Sequence, residues 1–439
     1  MMILYKYTRI IIFQNSNRTN IKKVSTMSNF LSRLNIDMEK KTFSFLLVFM
    51  IIFFGIDIVS VLLTTPSGIW VVFLYGIPLI LTLIIAGVVI DKLAKRTWFL
   101  LLLIPEGLLT LVLGISITDP TANTILWIFL GIFSGFTIAA LLGFFADMTK
   151  QDQRGKVAGL VCGLSFLVAA ILLSWISSTV FAANVLMYLF AIIKLAGGGI
   201  SFYLLIRKPE SGGEAPTKFQ GTGQGFLGYL KQAYSFIWTD KKFRIYFIAF
   251  ALIWVAQGIY APIGGFGQVS PPNFQQIASI GFAAGALFLI MMGSVVDQHG
   301  RKQMLLYGTI LAILSFLSSY FPLGAVFLAG LPLLIAIILV FLGDIAPSDG
   351  KARYYSIFLM INLLGFLIGV IIGLAIGVGS VGVIVACIII TAIALVLILL
   401  KGEESLEISG FKASEPTSPA PTTVSENPSL APTTVSEQP

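Results

Sequence analysis

With 439 residues, 57% of them hydrophobic, only 11% charged and a mean hydropathy of +0.95, the chain has too little polar surface to cover a water-soluble globule, in which about a quarter of residues are charged. The composition excludes a soluble fold and points to an all-α integral membrane protein. The net charge of +8 raises the question of a nucleic-acid partner, which the placement of the basic residues along the chain argues against.

The first forty residues are basic and weakly apolar, and the run "RIIIF" is too short for a signal-peptide core. Met27 and Met38 offer alternative starts within this segment. Apolar runs long enough to cross a bilayer as helices then come at 43–64, 69–90, 98–118, 124–146, 157–180, 183–206, 243–262, 274–296, 303–320, 324–343, 354–377 and 380–400, twelve spans in all. Turn signals separate several of them: "TTPSG" at 64–68, "TDPTAN" at 118–123 and "SPP" at 270–272. Two cysteines, Cys162 and Cys387, sit inside apolar runs and read as small buried hydrophobes. Neither a disulfide framework nor a metal site can be built from them.

The basic residues fall in every other loop. Lys92, Lys95, Arg96, Lys150, Arg154, Lys156, Arg207, Lys208, Lys218, Lys231, Lys241, Lys242, Arg301, Lys302, Lys351 and Arg353 follow even-numbered spans, and the loops after odd-numbered spans hold none. The positive-inside rule then places both termini in the cytoplasm and the protein in the cell membrane. This distribution also accounts for the basic balance without nucleic acid.

Five regions result: an N-terminal segment (1–42), a six-helix bundle (43–206), a linker (207–242), a second six-helix bundle (243–400) and a tail (401–439). The linker opens with "RKPESGGEAPTK" and continues with "FLGYLKQAYSFIW" (226–238), an amphipathic stretch suited to a membrane surface. The tail is rich in Pro, Ser and Thr, repeats "APTTVSE", and reads as disordered.

The two halves repeat. "GVVIDKLAKR" (87–96) after span 2 matches "GSVVDQHGRK" (293–302) after span 8: a Gly, three small or apolar residues, an Asp, then bases. "ADMTKQDQRGK" with Asp147 and Arg154 follows span 4, and "GDIAPSDGKAR" with Asp344, Lys351 and Arg353 follows span 10. Both pairs recur at a shift of about 200 residues, which marks a six-helix unit used twice.

These loops resemble the signature loop of the major facilitator superfamily, Gly-x-x-x-Asp-Arg/Lys-x-Gly-x-Arg/Lys-Arg/Lys. The second copy keeps Gly293, Asp297, Gly300, Arg301 and Lys302 but has Gln298 where a base is usual. The first keeps Gly87, Asp91, Lys92, Lys95 and Arg96 but has Ala94 for the second Gly. "RGKVAGL" (154–160) resembles the segment leading into helix 5 of that family. The resemblance implies two pseudo-symmetric six-helix bundles rocking about a midplane site. It further implies that the loop after helix 2 meets helix 11 while that after helix 8 meets helix 5. Asp91, Lys95 or Arg96 and Asp147 would then form one cytoplasmic cluster, and Asp297, Arg301 and Asp344 the other, a latch between the halves that Arg154 and Lys302 adjoin. His299, the only histidine, reads as a solvated loop residue.

Three ionisable residues lie well inside spans, where they are costly and default to functional candidates: Asp57, Glu106 and Lys194. Glu106 and Lys194 fall near mid-span and are expected to pair, on the flank of the first half. Asp57, in a helix that lines the cavity in the family, has no obvious basic partner and is the candidate for proton binding or for a cationic solute. Its counterpart in span 7 is Gln257, and Tyr75, Ser134, Thr137, Tyr260 and Asn362 are the further polar candidates for the solute site.

Apart from Arg244 at a cytoplasmic end, spans 1, 4, 7 and 10 hold no Lys or Arg, which disfavours multiply anionic solutes. No nucleotide-binding loop, cofactor motif or catalytic constellation is present in the sequence. The expectation is a monomeric, proton-coupled secondary transporter of a small neutral, apolar or cationic solute. An uncoupled facilitator, a monocarboxylate carrier if Lys194 faces the cavity, or a transporter-fold sensor without turnover are the alternatives.

Overall fold

The computed structural model describes residues 31–402 except 33, 35, 65–69, 94–95, 117–118, 178–182, 208–230, 232–233, 236–238, 262–273, 320–325, 327, 347–349 and 377–380. The Met27 start, Lys95, Lys208, Lys218, the tail and most of the amphipathic linker stretch lie outside the described residues. Among the described residues, twelve helices make up the fold. In chain order, α1 runs Lys40–Met50, widens to a π-helical stretch at Ile51–Asp57 and resumes over Ile58–Thr64. It is followed by α2 (Trp70–Leu93), α3 (Arg96–Ile115), α4 (Pro120–Met148), α5 (Arg154–Ser177) and α6 (Ala183–Arg207). The second half holds α7 (Lys241–Ala261), α8 (Phe274–His299), α9 (Arg301–Ser315), α10 (Gly330–Ile345), α11 (Lys351–Ile376) and α12 (Val381–Lys401).

Local chemistry sets several of these ends. Asp119 caps α4, its carboxylate accepting from the backbone N–H of Thr121 at 2.9 Å and Ala122 at 3.1 Å, with Pro120 at the first helical position. α3 tightens at Leu101 and Leu102, whose N–H groups donate three residues back. Pro105 is the cause: it lacks an N–H, and its ring crowds the carbonyl of Leu101.

Ten of the twelve helices are long and apolar enough to span a bilayer. Here the structure differs from the runs expected at 303–320 and 324–343. α9 has 15 residues and passes into a 3₁₀ turn at Phe316–Ser319, and α10 has 16. Pro332 stands third in α10, in the first turn, where its missing N–H costs no intrahelical bond.

Large apolar side chains such as Met291 and Leu400, 72% and 74% exposed, face outward all round, as lipid contact requires. Inside, α2 packs on α4 and α3 on α6 in the first bundle, while α7 packs on α11 and α12 in the second. The bundles meet chiefly along α5–α8 and α2–α11. These two contacts exchange under the internal repeat, so the seam has approximate two-fold symmetry. Both depend on a glycine. A Cβ on Gly87 would lie 2.7 Å from Cα of Arg353, and one on Gly293 would lie 2.9 Å from the carbonyl oxygen of Gly155. Only a residue without a side chain lets these backbones approach so closely.

Candidate functional site

Charged side chains gather in two places: the seam at the basic-loop end, and the interior of the first bundle.

At the seam, Asp297 accepts from the backbone N–H of Gly155 and of Lys156, each at 2.8 Å, and so faces the N-terminus of α5. Its repeat mate Asp91 accepts from Ala352 N–H at 3.2 Å and Arg353 N–H at 2.8 Å, at the N-terminus of α11. Each carboxylate meets the positive end of a helix in the opposite bundle. Gly300 adopts φ 96°, a left-handed geometry that favours glycine, and turns the chain between α8 and α9. This turn brings Arg301 onto Asp297 at 3.1 Å and Asp344 at 2.9 Å. Arg301 also donates across the seam to the carbonyl of Gln151 at 2.8 Å. Asp344 takes a second guanidinium, Arg154 from the first bundle, at 2.5 Å. On the other side Arg96 reaches Asp91 at 3.4 Å and pairs with Asp147, which Lys351 approaches at 3.2 Å from the second bundle.

The residues expected in the latch therefore converge, with two differences. Lys302 donates to the carbonyl of Leu399 at 3.2 Å and so caps α12 within its own bundle. Lys351, Gln151 and the backbone of Arg353 make cross-seam contacts that the sequence reading did not foresee. The repeat signal held a clue, since Lys351 and Arg353 occupy the place of Arg154 in the other half.

Two contacts tie neighbouring segments to this end. Lys150 pairs with Asp37, and Asp37 N–H donates to Gln153 at 2.7 Å. The Lys150 ammonium holds the Asp37 carboxyl below its ordinary range, and the carboxylate raises Lys150 in turn. From the linker, the Tyr234 hydroxyl donates to the carbonyl of Ile84 on α2. Burial pushes its phenol up to about 12, so it remains a donor.

Inside the first bundle, Lys194 Nζ lies 2.6 Å from Asp57 and 3.6 Å from Glu106. The three groups are 3%, 8% and 0% exposed. This corrects the expectation that Asp57 lacks a basic partner: the pair foreseen between α3 and α6 is a triad with α1. The π-helical stretch that ends at Asp57 supplies the reason. Each π turn takes one residue more than an α turn, so it rotates the next side chains onto another face. Gly55 within it lets α1 close on α5, a Cβ there standing 3.2 Å from the carbonyl oxygen of Ser165.

Of the polar candidates, Thr137 and Ser134 donate to Glu106 at 2.5 and 3.4 Å. They hold the triad from α4. Tyr75 stands with Asp57 and Lys194 at a small cavity of the first bundle. The remaining three belong to the second bundle. Gln257 and Asn362 are buried, the former with no hydrogen-bond partner on Nε2, and Tyr260 packs edge-on against Phe316 at 5.3 Å. Among the described residues, no group of His, Cys, Asp and Glu forms a metal site.

Two six-helix bundles related by a repeat, joined by reciprocal Asp-to-helix contacts at one end, define a polytopic membrane transporter fold. The chain matches the family model for the Major Facilitator Superfamily over residues 30–268 and 265–434, and it belongs to that family of transporters. Among solved structures it is similar to the transporter FucP in its outward conformation, with 12% identity and a TM-score of 0.59, covering 82% of this chain and 98% of that one. It is also similar to a singly substituted form of the Escherichia coli fucose:proton symporter FucP, again at 12% identity, with a TM-score of 0.57 over 83% and 98% of the two chains. Both likenesses concern the fold. No curated protein sequence matches the chain.

Proposed function

We propose that the protein is a proton-coupled secondary transporter of a small neutral, apolar or cationic solute, with both termini in the cytoplasm and the triad as its proton site. The observation that carries this reading is the charge balance of Asp57, Glu106 and Lys194. Fully ionised, the triad bears a net charge of −1 in a low-dielectric interior, and one added proton makes it neutral. A triad that gains or loses one proton supplies a two-state element for coupling. Lys194 lies between two carboxylates, which leaves no free ammonium for an anionic solute and weakens the monocarboxylate alternative. The solute site lies between the bundles in this reading, with Gln257 and Asn362 as its polar groups. That the E. coli relative in fold is named a fucose:proton symporter agrees with proton coupling without fixing the solute.

The test is flux in proteoliposomes holding a trapped pH dye, screened with neutral, cationic and monocarboxylate compounds. The expected result is a compound-dependent pH change in the native protein that is lost in Asp57→Asn. Equal compound flux in both, with no pH change, would establish an uncoupled facilitator. Binding without flux would leave a sensor.

A further inference from the structure

Resting on the triad as the proton site, we infer that its proton enters and leaves through a passage inside the first bundle, apart from the route between the bundles, and from the face opposite the basic loops. The cavity beside the triad is one-sided. α1 and α3 run away from the basic-loop end, and the cavity-lining Ser60 and Thr110 lie beyond Asp57 and Glu106 on them. α2, α4 and α6 run toward that end, and Tyr75, Trp127 and Met187 lie in their opening turns. Every residue around the cavity is therefore level with the triad or nearer the opposite face. All belong to α1, α2, α3, α4 and α6, so none comes from the second bundle.

On the basic-loop side the triad is sealed. One turn past Lys194, a Cβ on Gly197 would stand 2.5 Å from Ile52 and 3.2 Å from Leu103, both fully buried. Asp57, which lines the cavity, has a buried Oδ2 with no hydrogen-bond partner. The cavity offers about 10 Å³, the space of roughly one water. A hydronium in this space can pass its excess proton to the Asp57 carboxylate once the packing over Oδ2 loosens: one O–H bond breaks in the hydronium, leaving water, one forms on the carboxylate, and the triad goes from −1 to neutral. Solute cannot follow through so narrow a space. Toward the opposite face the edge-on pair Tyr75–Trp127, with ring centroids 5.8 Å apart, forms the constriction.

The charged and titratable groups facing Asp57 are few. Lys194 comes from α6, Glu106 from α3 and Tyr75 from α2. α4 presents Ser134 and Thr137 through Glu106, and the part of α5 against the π stretch carries no charged residue. Among the described residues, the passage thus holds no second charged carrier between Asp57 and the far face.

The experiment follows the infrared carbonyl band of a protonated carboxyl after a pH jump on the reconstituted full chain, with protons as the only probe. Loss of the band in Asp57→Asn or Glu106→Gln assigns it to the triad. Val61→Phe fills the cavity and is expected to slow the band's appearance at least about tenfold with its final amplitude unchanged. Trp127→Ala widens the constriction and is expected to speed it. Opposite signs in two variants cannot come from a common folding defect. A triad band whose rate ignores both variants overturns the passage and leaves the proton site standing. The absence of any triad band overturns both.

Discussion

Arg154 of the first bundle donates to Asp344 of the second at 2.5 Å, with side chains only 5% and 0% exposed. The same carboxylate takes Arg301 from its own bundle at 2.9 Å. Asp344 thus holds one guanidinium from each half, and neither half can withdraw without leaving a buried charge poorly compensated. Removing one partner of a buried pair costs about 3–5 kcal/mol, mainly through the charge left behind. Asp344→Ala leaves Arg154 without its carboxylate and Arg301 with Asp297 alone, and is expected to open the seam, read as a longer spin-label distance between the basic-loop ends of α5 and α8. Arg154→Ala, which leaves Arg301 in place, is expected to give a smaller shift.

Gly293 tests packing instead of charge. In Gly293→Val the new Cβ meets the Gly155 carbonyl oxygen at 2.9 Å and Gly159 Cα at 3.1 Å. These are backbone atoms, which cannot rotate away as a side chain would. Overpacking of this kind costs about 1–3 kcal/mol. Only the closed seam bears that cost, so cross-linking between cysteines placed on α5 and α8 should fall while the protein still folds.

Lys194 makes the triad's two carboxylates compatible. Lys194→Met leaves two buried acids without their cation and is expected to lower the melting temperature sharply, in line with about 3–5 kcal/mol. Adding Asp57→Asn and Glu106→Gln to that variant should restore much of the loss, because no charge then remains to bury. A triple variant that melts below the single one would contradict this account.

The Asp37–Lys150 contact sets a pH expectation. Asp37 is held below its ordinary 3.8, so its contribution is present above that value and is lost as pH falls through the folded one. Lys150 is raised above 10.5, so its contribution is present below that value and is lost only as pH rises beyond it. Across the neutral range the contact is constant. Proteolysis near residue 37 should therefore be flat between about pH 5 and about pH 9, and any pH dependence of flux in that range must arise elsewhere.

Much of the fold was legible because the membrane allows so few solutions. Length, hydropathy and alternating basic loops gave the helix count, and the repeat of Gly87–Asp91 at Gly293–Asp297 gave the seam. The triad was only partly readable. Glu106 and Lys194 stand near mid-span and so suggested a pair, but Asp57 sits nearer the end of α1. Nothing in "IIFFGID" announces the π turn that swings it toward α6; Gly55 is the single hint, and glycines are common in these helices. Ser134 and Thr137 were picked for polarity, which carries no information about the face a side chain takes once α4 has packed. The Lys302 contact was illegible for a related reason: the motif names a base, while the carbonyl it reaches belongs to a helix about one hundred residues further on.

The two ends of the seam are not equally strong. Asp344 is sealed between two guanidiniums, while Asp147, with Arg96 and Lys351, keeps 33% of its side chain in solvent. Water screens the exposed pair and leaves the sealed one nearly at full strength. In the proposed rocking of the bundles the lesser resistance is expected along α2–α11. In the proposed cycle the α2–α11 side is then expected to part before the α5–α8 side, so two contacts that the repeat makes equivalent would open in order.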